Sequence, residues 1–562
     1  MLFALTACAW LTPADLAARL ERDSDQPGGD TAGSDTASVD SDCATTWYAD
    51  VDGDQYGDES SPTEACEQPD GHVAEGGDCD DSADSVNPDG VEVCGNGVDE
   101  NCLGGDQLCL EGEREIHAMG TLYGGASTGD QAGFWVRAGD YDADGQEDWV
   151  TSAPFSDASG ADAGAVYVMD GTLQAAAPLA GEALAAFVGG EAGDFLGHDV
   201  AFTGSFDADC DSLAFGGPGH VYGSNEYAGY AGILDCGLLG NYDLGTGAVI
   251  AYGFQHTEIG VGLGNALAGG LDYSDHPART DDLAIGGPGY DGRGAVWVVF
   301  SEETNPGTYD LGATGLSVRY DGDSLGDYAG YAVGNLADHT GDGFDDLGVG
   351  ATGATGTEAG KVHVVAGGAS STGVASLSDA TLTLHGERDG DQLGYIVENL
   401  GDLDGDGLPE FATSSIDAEN DAGVVYVIRG TNRDRAFVGY AAIEKYALGT
   451  IRGLDDEGRF GTSAAAVDIE GDGQAELLVG ATEEWAQSER GGAVYVFHDL
   501  GAGTWSASDA SAMVYRDQST GIFGSSLAEV STPAGGSRLL IGNMNEDGEA
   551  SGSGGVWAVP LY

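Results

Sequence analysis

From about residue 111 onward, short apolar runs bounded by Gly, Asp and Ser follow one another in a fixed order that repeats seven times, at a spacing of roughly 65 residues. Each unit opens with a strand-like run: Ile116 to Tyr123, Ala186 to Gly189, Val249 to Tyr252, Leu316 to Tyr320, Thr381 to His385, Tyr446 to Ile451 and Ala512 to Tyr515. A Phe-Gly-like pair then opens a second strand, as in Phe195-Leu196-Gly197, Phe460-Gly461 and Phe523-Gly524. An acidic loop or its relic comes next, followed by an apolar run that ends in Gly-Gly-Pro or Gly-Ala, such as Gly216-Gly217-Pro218, Gly286-Gly287-Pro288, Gly350-Ala351 and Gly480-Ala481. The last run is Gly164 to Val168, Gly294 to Val298, Gly423 to Val427, Gly492 to Val496 or Gly555 to Val559. Runs of this length, rich in β-branched and aromatic residues, predict strands. Four antiparallel strands make one blade, and a ring of blades leaves only short, protected edges. The predicted fold is all-β, a seven-bladed β-propeller of four-stranded antiparallel blades over 111–562. The seventh unit stops after its third strand, whereas Ile116–Tyr123 has no earlier unit to join, so pairing 116–123 with 555–561 closes the ring.

Four of the acidic loops share a nine-residue pattern. Oxygen side chains stand at positions 1, 3, 5 and 9, and Gly at 6: Asp140, Asp142, Asp144 and Asp148; Asp338, Thr340, Asp342 and Asp346; Asp402, Asp404, Asp406 and Glu410; Asp468, Glu470, Asp472 and Glu476. With position 7 (Gln146, Phe344, Leu408 and Gln474) counted through its backbone carbonyl, this is the ligand set that a hard divalent cation asks of a tight loop. An EF-hand would add a bidentate Glu at position 12, but Thr151, Val349, Thr413 and Val479 stand there, and the residues that follow have no helical period. The loop connects two strands and is not an EF-hand. The expected ion is calcium, in about four propeller sites; magnesium prefers to keep several waters. The relics at Ser205–Asp211, Asp272–Asp282 and Ser531–Ser537 are expected to hold none. Cys210 in the first of these is expected to pair with Cys236, a covalent staple in place of an ionic one.

The ordered Phe-Gly, cation-loop and Gly-Ala-Pro elements resemble the FG-GAP repeat of the integrin α-chain head, over about 450 residues. Antiparallel order puts the cation loops on one face, and the Gly-Ala-Pro loops and blade-to-blade connections on the other. The resemblance implies that the second face takes the ligand. Its richest loops carry His220, Tyr222, Asn225, Glu226, Tyr227 and Tyr230, then Tyr290, Asp291 and Arg293, aromatics interleaved with polar groups as at interaction surfaces.

Charge narrows the class of partner. The 562 residues hold 96 Asp plus Glu against 18 Lys plus Arg, a formal charge of −78. Nucleic acid is excluded as a partner, since phosphate binding needs clustered Lys or Arg. Most of the acidity is solvated surface that keeps a secreted protein soluble.

Residues 8–42 read as a disordered acidic tether, and 43–110 as a Cys-rich module. Cys8 closes a segment, Met1 to Ala7, that resembles a bacterial lipoprotein signal, and the resemblance implies lipidation of Cys8 and a cell-surface or outer-membrane location. A secreted chain is the other possibility. Of the nine Cys, the remaining eight suffice for four disulfides. No apolar run of 18 residues exists, so a lipid anchor is the one expected membrane contact. In the Cys-rich module, Asp50, Asp52, Asp54 and Asp58 repeat the acidic spacing and suggest one more cation site. Together with Gly77-Asp78-Cys79-Asp80-Asp81 and Val98 to Cys102, the module resembles a metal-binding motif of bacterial surface proteins related to a copper-binding outer-membrane protein. Copper is disfavoured, because imidazole or soft ligands select it and the module offers one His, His72.

No catalytic residues are expected. Gly125-Ala126-Ser127-Thr128-Gly129 matches a nucleophile-elbow pattern but lies in a connection rather than a strand-to-helix turn, and the ten His show no zinc spacing. The reading is a surface-tethered, calcium-stabilised propeller that binds an extracellular protein or glycan. The alternative is a propeller enzyme acting on a polysaccharide or lipid-linked substrate at the central channel.

Overall fold

The computed structural model describes residues 45–561 apart from short interruptions, among them 91–97, 103–109, 207–210, 354–358, 432–438 and 470–473. Cys8 and Cys210 lie outside the described residues. The chain divides into two units, Met1–Asn87 and Pro88–Tyr562.

The described part of the first unit is a three-stranded antiparallel sheet with Thr45–Ala49 between Asp58–Ala65 and His72–Val73. Most of its side chains are exposed or half-buried. A unit this small buries too little apolar surface to hold itself together by packing, and Cys66 and Cys79 are both disulfide-bonded.

The second unit is a β-propeller, with seven five-stranded sheets among its described residues. Blade 1 runs Val136–Gly139, Asp148–Ala153, Ala165–Met169, Ala185–Val188 from the inside outward, and blade 2 runs Val200–Phe202, Leu213–Gly217, Tyr230–Leu234, Ile250–Gln255. Blades 3 to 6 follow the same order, their inner strands being Leu267–Leu271, Ala329–Asn335, Val397–Gly401 and Phe460–Val467. Each inner strand lies against the next, and Phe523–Ser531 of blade 7 lies against Val136–Gly139 of blade 1, a closed circuit. The strands are buried along nearly their whole length because each blade is covered on both faces. Ala231, Ile233 and Phe254 of blade 2 pack on Leu283, Ile285 and Trp297 of blade 3. Blade 7 packs Leu539 and Trp557 on Val494 of blade 6, and Leu540 and Val556 on Trp149 and Tyr167 of blade 1.

Blade 7 joins the two ends of the repeat array. Its first three strands are Phe523–Ser531, Ser537–Asn543 and Gly555–Pro560. The fourth is Thr121–Gly124, antiparallel to the third in the register Gly555 to Gly124, Val556 to Tyr123 and Trp557 to Leu122. The strand is shorter than expected. Ile116–Ala118 is a single 3-10 turn, because the Glu115 carboxylate accepts the His117 amide at 2.9 Å and bends the chain before it enters the blade.

A fifth strand in every blade departs from the four-stranded expectation. Gly240–Asp243, which leads into the outer strand of blade 2, first pairs in parallel with the outer strand of blade 1. The same crossing recurs at Gly307–Asp310, Gly373–Ser376, Gly439–Ala442 and Gly503–Ser506. Gly112–Glu115 makes it on blade 6 and Ala177–Pro178 on blade 7. Each outer strand is thus paired by a segment of the next repeat, and the free edge becomes a short strand of two to four residues, a protected kind of edge.

The glycine before each third strand has a steric cause. Gly164, Gly229, Gly294, Gly360, Gly423, Gly492 and Gly554 all have φ between +77° and +87°. A Cβ on any of them would stand 2.0 to 2.4 Å from backbone of the next blade's Phe-Gly-like segment, at Leu196, Leu263, Ala329, Leu393, Phe460, Phe523 and Ala132 respectively. Only glycine allows both the left-handed conformation and this approach.

Candidate metal centres and the opposite face

The cation loops join the inner strand of a blade to its second strand. Position 9 opens that second strand at Asp148, Glu410 and Glu476 and immediately precedes it at Asp346, so all four are carried inward and buried. Positions 1 and 3 sit on the turn above. In blade 1, Asp140, Asp142 and Asp148 each present a carboxylate oxygen within 4.8 Å of the others, and in blade 5 so do Asp402, Asp404 and Glu410. Backbone amides fix the turn. Asp140 accepts the amides of Asp144 and Gly145 at 3.1 and 3.0 Å, and Asp402 those of Asp406 and Gly407 at 3.0 and 2.8 Å. Position 5 turns outward: Asp144 and Asp406 accept the amides of Gln146 and Leu408 at 2.8 and 3.1 Å and stand outside both triads.

Blade 4 repeats the turn but not the triad. Asp338 accepts the amides of Asp342 and Gly343 at 2.7 and 2.9 Å. Its position 3 is Thr340, whose amide and hydroxyl donate to Asp346 at 2.6 and 3.3 Å, where blades 1 and 5 have a second acid. Phe344 donates its amide to Asp342 at 3.2 Å. In blade 6, Glu470 and Asp472 lie outside the described residues. Asp468 and Gln474 are described there, and Glu476 accepts the Ile469 amide at 2.8 Å, as Glu410 accepts that of Leu403 at 2.9 Å.

The electrostatics favour a cation. Burial first, and the Asp142 carboxylate second, push Asp148 up to about 7. Asp346 is pushed up to about 7, mainly by burial, and Glu410 is raised for the same reason. Asp148 Oδ2 is buried without a hydrogen-bond donor. An oxygen-only donor set around an unsatisfied buried carboxylate oxygen fits a hard divalent ion. Asp140, Asp142 and Asp148 would hold it in blade 1, and Asp402, Asp404 and Glu410 in blade 5. Such an ion would supply charge neutralisation, which ties position 9 in the sheet to the turn above it.

Position 8 carries contacts that loop spacing does not reveal. Glu147 of blade 1 accepts the Ser531 amide of blade 7 at 2.7 Å, and Asp345 of blade 4 accepts the Asp272 amide of blade 3 at 3.0 Å. Asp211 of blade 2 accepts the Asp140 amide of blade 1 at 3.3 Å, and the carbonyl of Pro409 in blade 5 meets His339 Nδ1 of blade 4 at 2.9 Å. These bonds join blades 7 and 1, 1 and 2, 3 and 4, and 4 and 5. In three of the four the sequence signal was an acid beside position 9; Pro409 gave none.

On the opposite face, the residues expected to meet a ligand divide. Tyr227 is 58% exposed, whereas Tyr222 lies outside the described residues. His220 Nδ1 is 3.0 Å from Asp194, whose carboxylate raises its pKa, and Tyr230 packs beside it against Phe215. Together they line a cavity of about 280 Å³ that also reaches Glu191 and Ile250. Tyr290 is held edge-on to Trp297 at 5.3 Å under the Arg319 guanidinium, and Arg293 donates to the Asp323 carbonyl at 3.0 Å. Cys236 is disulfide-bonded.

A cavity of about 220 Å³ opens on the central channel. Every blade contributes to its lining the residue after the Phe-Gly-type glycine: Phe134, His198, Asn265, Tyr331, Tyr395, Thr462 and Ser525. Arg137 of blade 1 reaches Glu398 of blade 5 at 3.3 Å across this space. Asp199 is buried there and pushed up to about 7 by burial, but its two oxygens accept the amides of Val200 and Leu267, each at 2.7 Å, so it anchors strands. Ser127 donates its amide to Asp130 at 3.1 Å in a surface turn.

Comparison with known proteins agrees with this architecture. The FG-GAP repeat family matches residues 132–169 and 460–497, which are the inner three strands and cation loops of blades 1 and 6. Integrin alpha-4 of Xenopus laevis is 29% identical over 252 residues, a match covering 42% of this chain and 22% of the relative. The chain thus spans about a fifth of that relative's length; it carries two segments that match the FG-GAP repeat and is similar over part of its length to an integrin alpha chain.

Proposed function

We propose that this chain is a calcium-stabilised propeller, displayed outside the cell, that binds an extracellular protein or glycan through the face opposite its cation loops. The observation that supports this most is the pair of carboxylate triads at equivalent turns of blades 1 and 5, on one face of an integrin-α-like ring. Calcium is structural in this reading: it neutralises acids that burial disfavours and rigidifies one face, while the other stays free to recognise. Exposed Tyr227 and the cavity beside His220 form the centre of the recognition surface. Cys8 carries a lipid that anchors the protein to a bacterial surface, and the Cys-rich module serves as its stalk. The chain is not an enzyme: calcium activates water weakly, and Asp199 is spent on strand amides.

Three experiments test the reading. The purified protein is applied to glycan and surface-protein arrays in calcium and in EDTA; binding that is lost in EDTA and weakened by Tyr227→Ala is expected. Turnover of a polysaccharide or ester, abolished by one substitution at the central channel, would instead establish the enzyme alternative. Incorporation of labelled palmitate, absent in Cys8→Ala, tests the anchor.

A further inference from the structure

In the N-terminal unit, the loop between Thr45–Ala49 and Asp58–Ala65 carries Asp50, Asp52 and Asp54. A second segment runs beside it: Asp78 forms a parallel bridge with Asp58, and its amide donates to the Gly57 carbonyl at 3.3 Å. This brings Asp78 and Asp81 under the loop. Asp50, Asp52 and Asp81 then present oxygens within 4.8 Å of one another, and so do Asp52, Asp54 and Asp78. The two groups share Asp52.

Each carboxylate accepts a backbone amide on one oxygen, and Asp54 also accepts the Asn87 side-chain amide on its other oxygen at 2.7 Å. Asp81 accepts from Val51 at 2.7 Å, Asp50 from Gly53 at 2.7 Å, and Asp78 from Asp80 at 2.9 Å. The other oxygen of Asp78, a residue only 6% exposed, is buried without a donor, as is Oδ2 of Asp52. Leaving buried carboxylate oxygens without a donor is costly unless a cation completes them. No Lys or Arg occurs between Arg22 and Arg114, so none close in sequence can do so. Five carboxylates would leave a charge of about −3 around one dication and about −1 around two.

We propose that this unit holds two hard divalent cations of the calcium class side by side, Asp52 bridging a site completed by Asp50 and Asp81 and a site completed by Asp54 and Asp78. Copper does not fit. The imidazole of His72 is engaged in the sheet, 3.2 Å from the Asp70 carbonyl and 3.4 Å from the Thr63 hydroxyl, and Cys66 and Cys79 are disulfide-bonded. Asp58, which the loop spacing pointed to, is not in either group; it accepts the amide and hydroxyl of Ser60, both at 2.7 Å. The inference stands independently of the propeller's calcium.

The test counts calcium per full-length chain by atomic emission after dialysis at fixed free calcium. Relative to the parent protein, Asp52→Asn is expected to lose two ions, Asp78→Asn and Asp81→Asn one each, and Asp58→Asn none. Loss of one ion or none by Asp52→Asn overturns the bridged pair, as does a full count in Asp78→Asn. Should Asp52→Asn misfold by near-ultraviolet circular dichroism, the two single-ion variants decide: one ion lost by each supports the pair, and no loss in either overturns it. Copper(II) added to the calcium-saturated protein is expected to leave the count unchanged; copper that displaces these ions in the parent but not in Asp78→Asn overturns the hard-cation assignment.

Discussion

Replacing Gly294 by Ala measures how tightly adjacent blades are locked. Gly294 precedes the third strand of blade 3 at φ +83°, and a Cβ there would stand 2.2 Å from the carbonyl oxygen and 2.3 Å from the amide nitrogen of Ala329 in blade 4. Two costs follow. Holding Ala in the left-handed region costs about 1 kcal/mol. Pushing apart two backbones in a close-packed interface adds about 1–3 kcal/mol, since neither contact is the mobile end of a side chain. The expected destabilisation is about 2–4 kcal/mol. Gly129 supplies the control, with φ +86° and open space where its Cβ would lie, so Gly129→Ala carries only the conformational cost of about 1 kcal/mol. The assay is urea unfolding in saturating calcium, comparing midpoints where the slopes agree. Equal destabilisation by the two variants would refute the reasoning, because the glycines would then be needed for backbone conformation alone.

Three further outcomes follow from the geometry. Chelation with EDTA is expected to lower stability by ~2.7 kcal/mol per site that had been held at 100-fold over its Kd, and Asp148→Asn should remove the blade 1 share of that loss in calorimetry. In EDTA, stability should fall as pH rises from about 4 to 7: Asp148 and Asp346 are pushed up to about 7 when folded, so the folded state holds protons that the unfolded chain has released. A flat profile over that window would contradict this, and calcium should flatten it by displacing those protons. Tyr123→Ala, which removes a side chain 1% exposed and packed on Trp149 at 5.2 Å, should cost about 3–5 kcal/mol, read as a lower urea midpoint.

Order and pairing were legible in the sequence because both follow from the alternation of strand and turn residues. The join between residues 121–124 and 555–558 could be expected by counting strands: an array with one strand too few at one end and one too many at the other has a single economical solution. The fifth strands were not legible. Gly240–Asp243 reads as a polar connection, and only its placement against Ala185–Val188, an edge formed by a different repeat, makes it a strand. The acidic loops show the same limit. Spacing singled out positions 1, 3 and 9 of the loops in blades 1 and 5, whose carboxylates the fold gathers, but it could not show that Asp144 and Asp406 accept amides of their own turns, nor that Thr340 bonds Asp346 where an acid would have faced it. In the N-terminal unit the pattern pointed to Asp58, yet the fold brings in Asp78 and Asp81 from some twenty-five residues away. Ligands that arrive from another segment leave no periodic trace.

The shared blade also governs when the molecule can be finished. Thr121–Gly124 is made early, but its partner Gly555–Pro560 lies roughly 430 residues later, about 20–90 s of synthesis at ordinary elongation rates. Over that interval the first strand has no third strand to pair with, and Tyr123 has only part of its final surroundings. Six blades can form while the ring is still open, so the last event is a docking of distant segments rather than the growth of a seventh blade. Such long-range pairing is slow and leaves a strand edge uncovered while it waits. A protein built this way is most vulnerable to aggregation and proteolysis at its seam, and it gains most from whatever holds the early segment extended until the late one arrives.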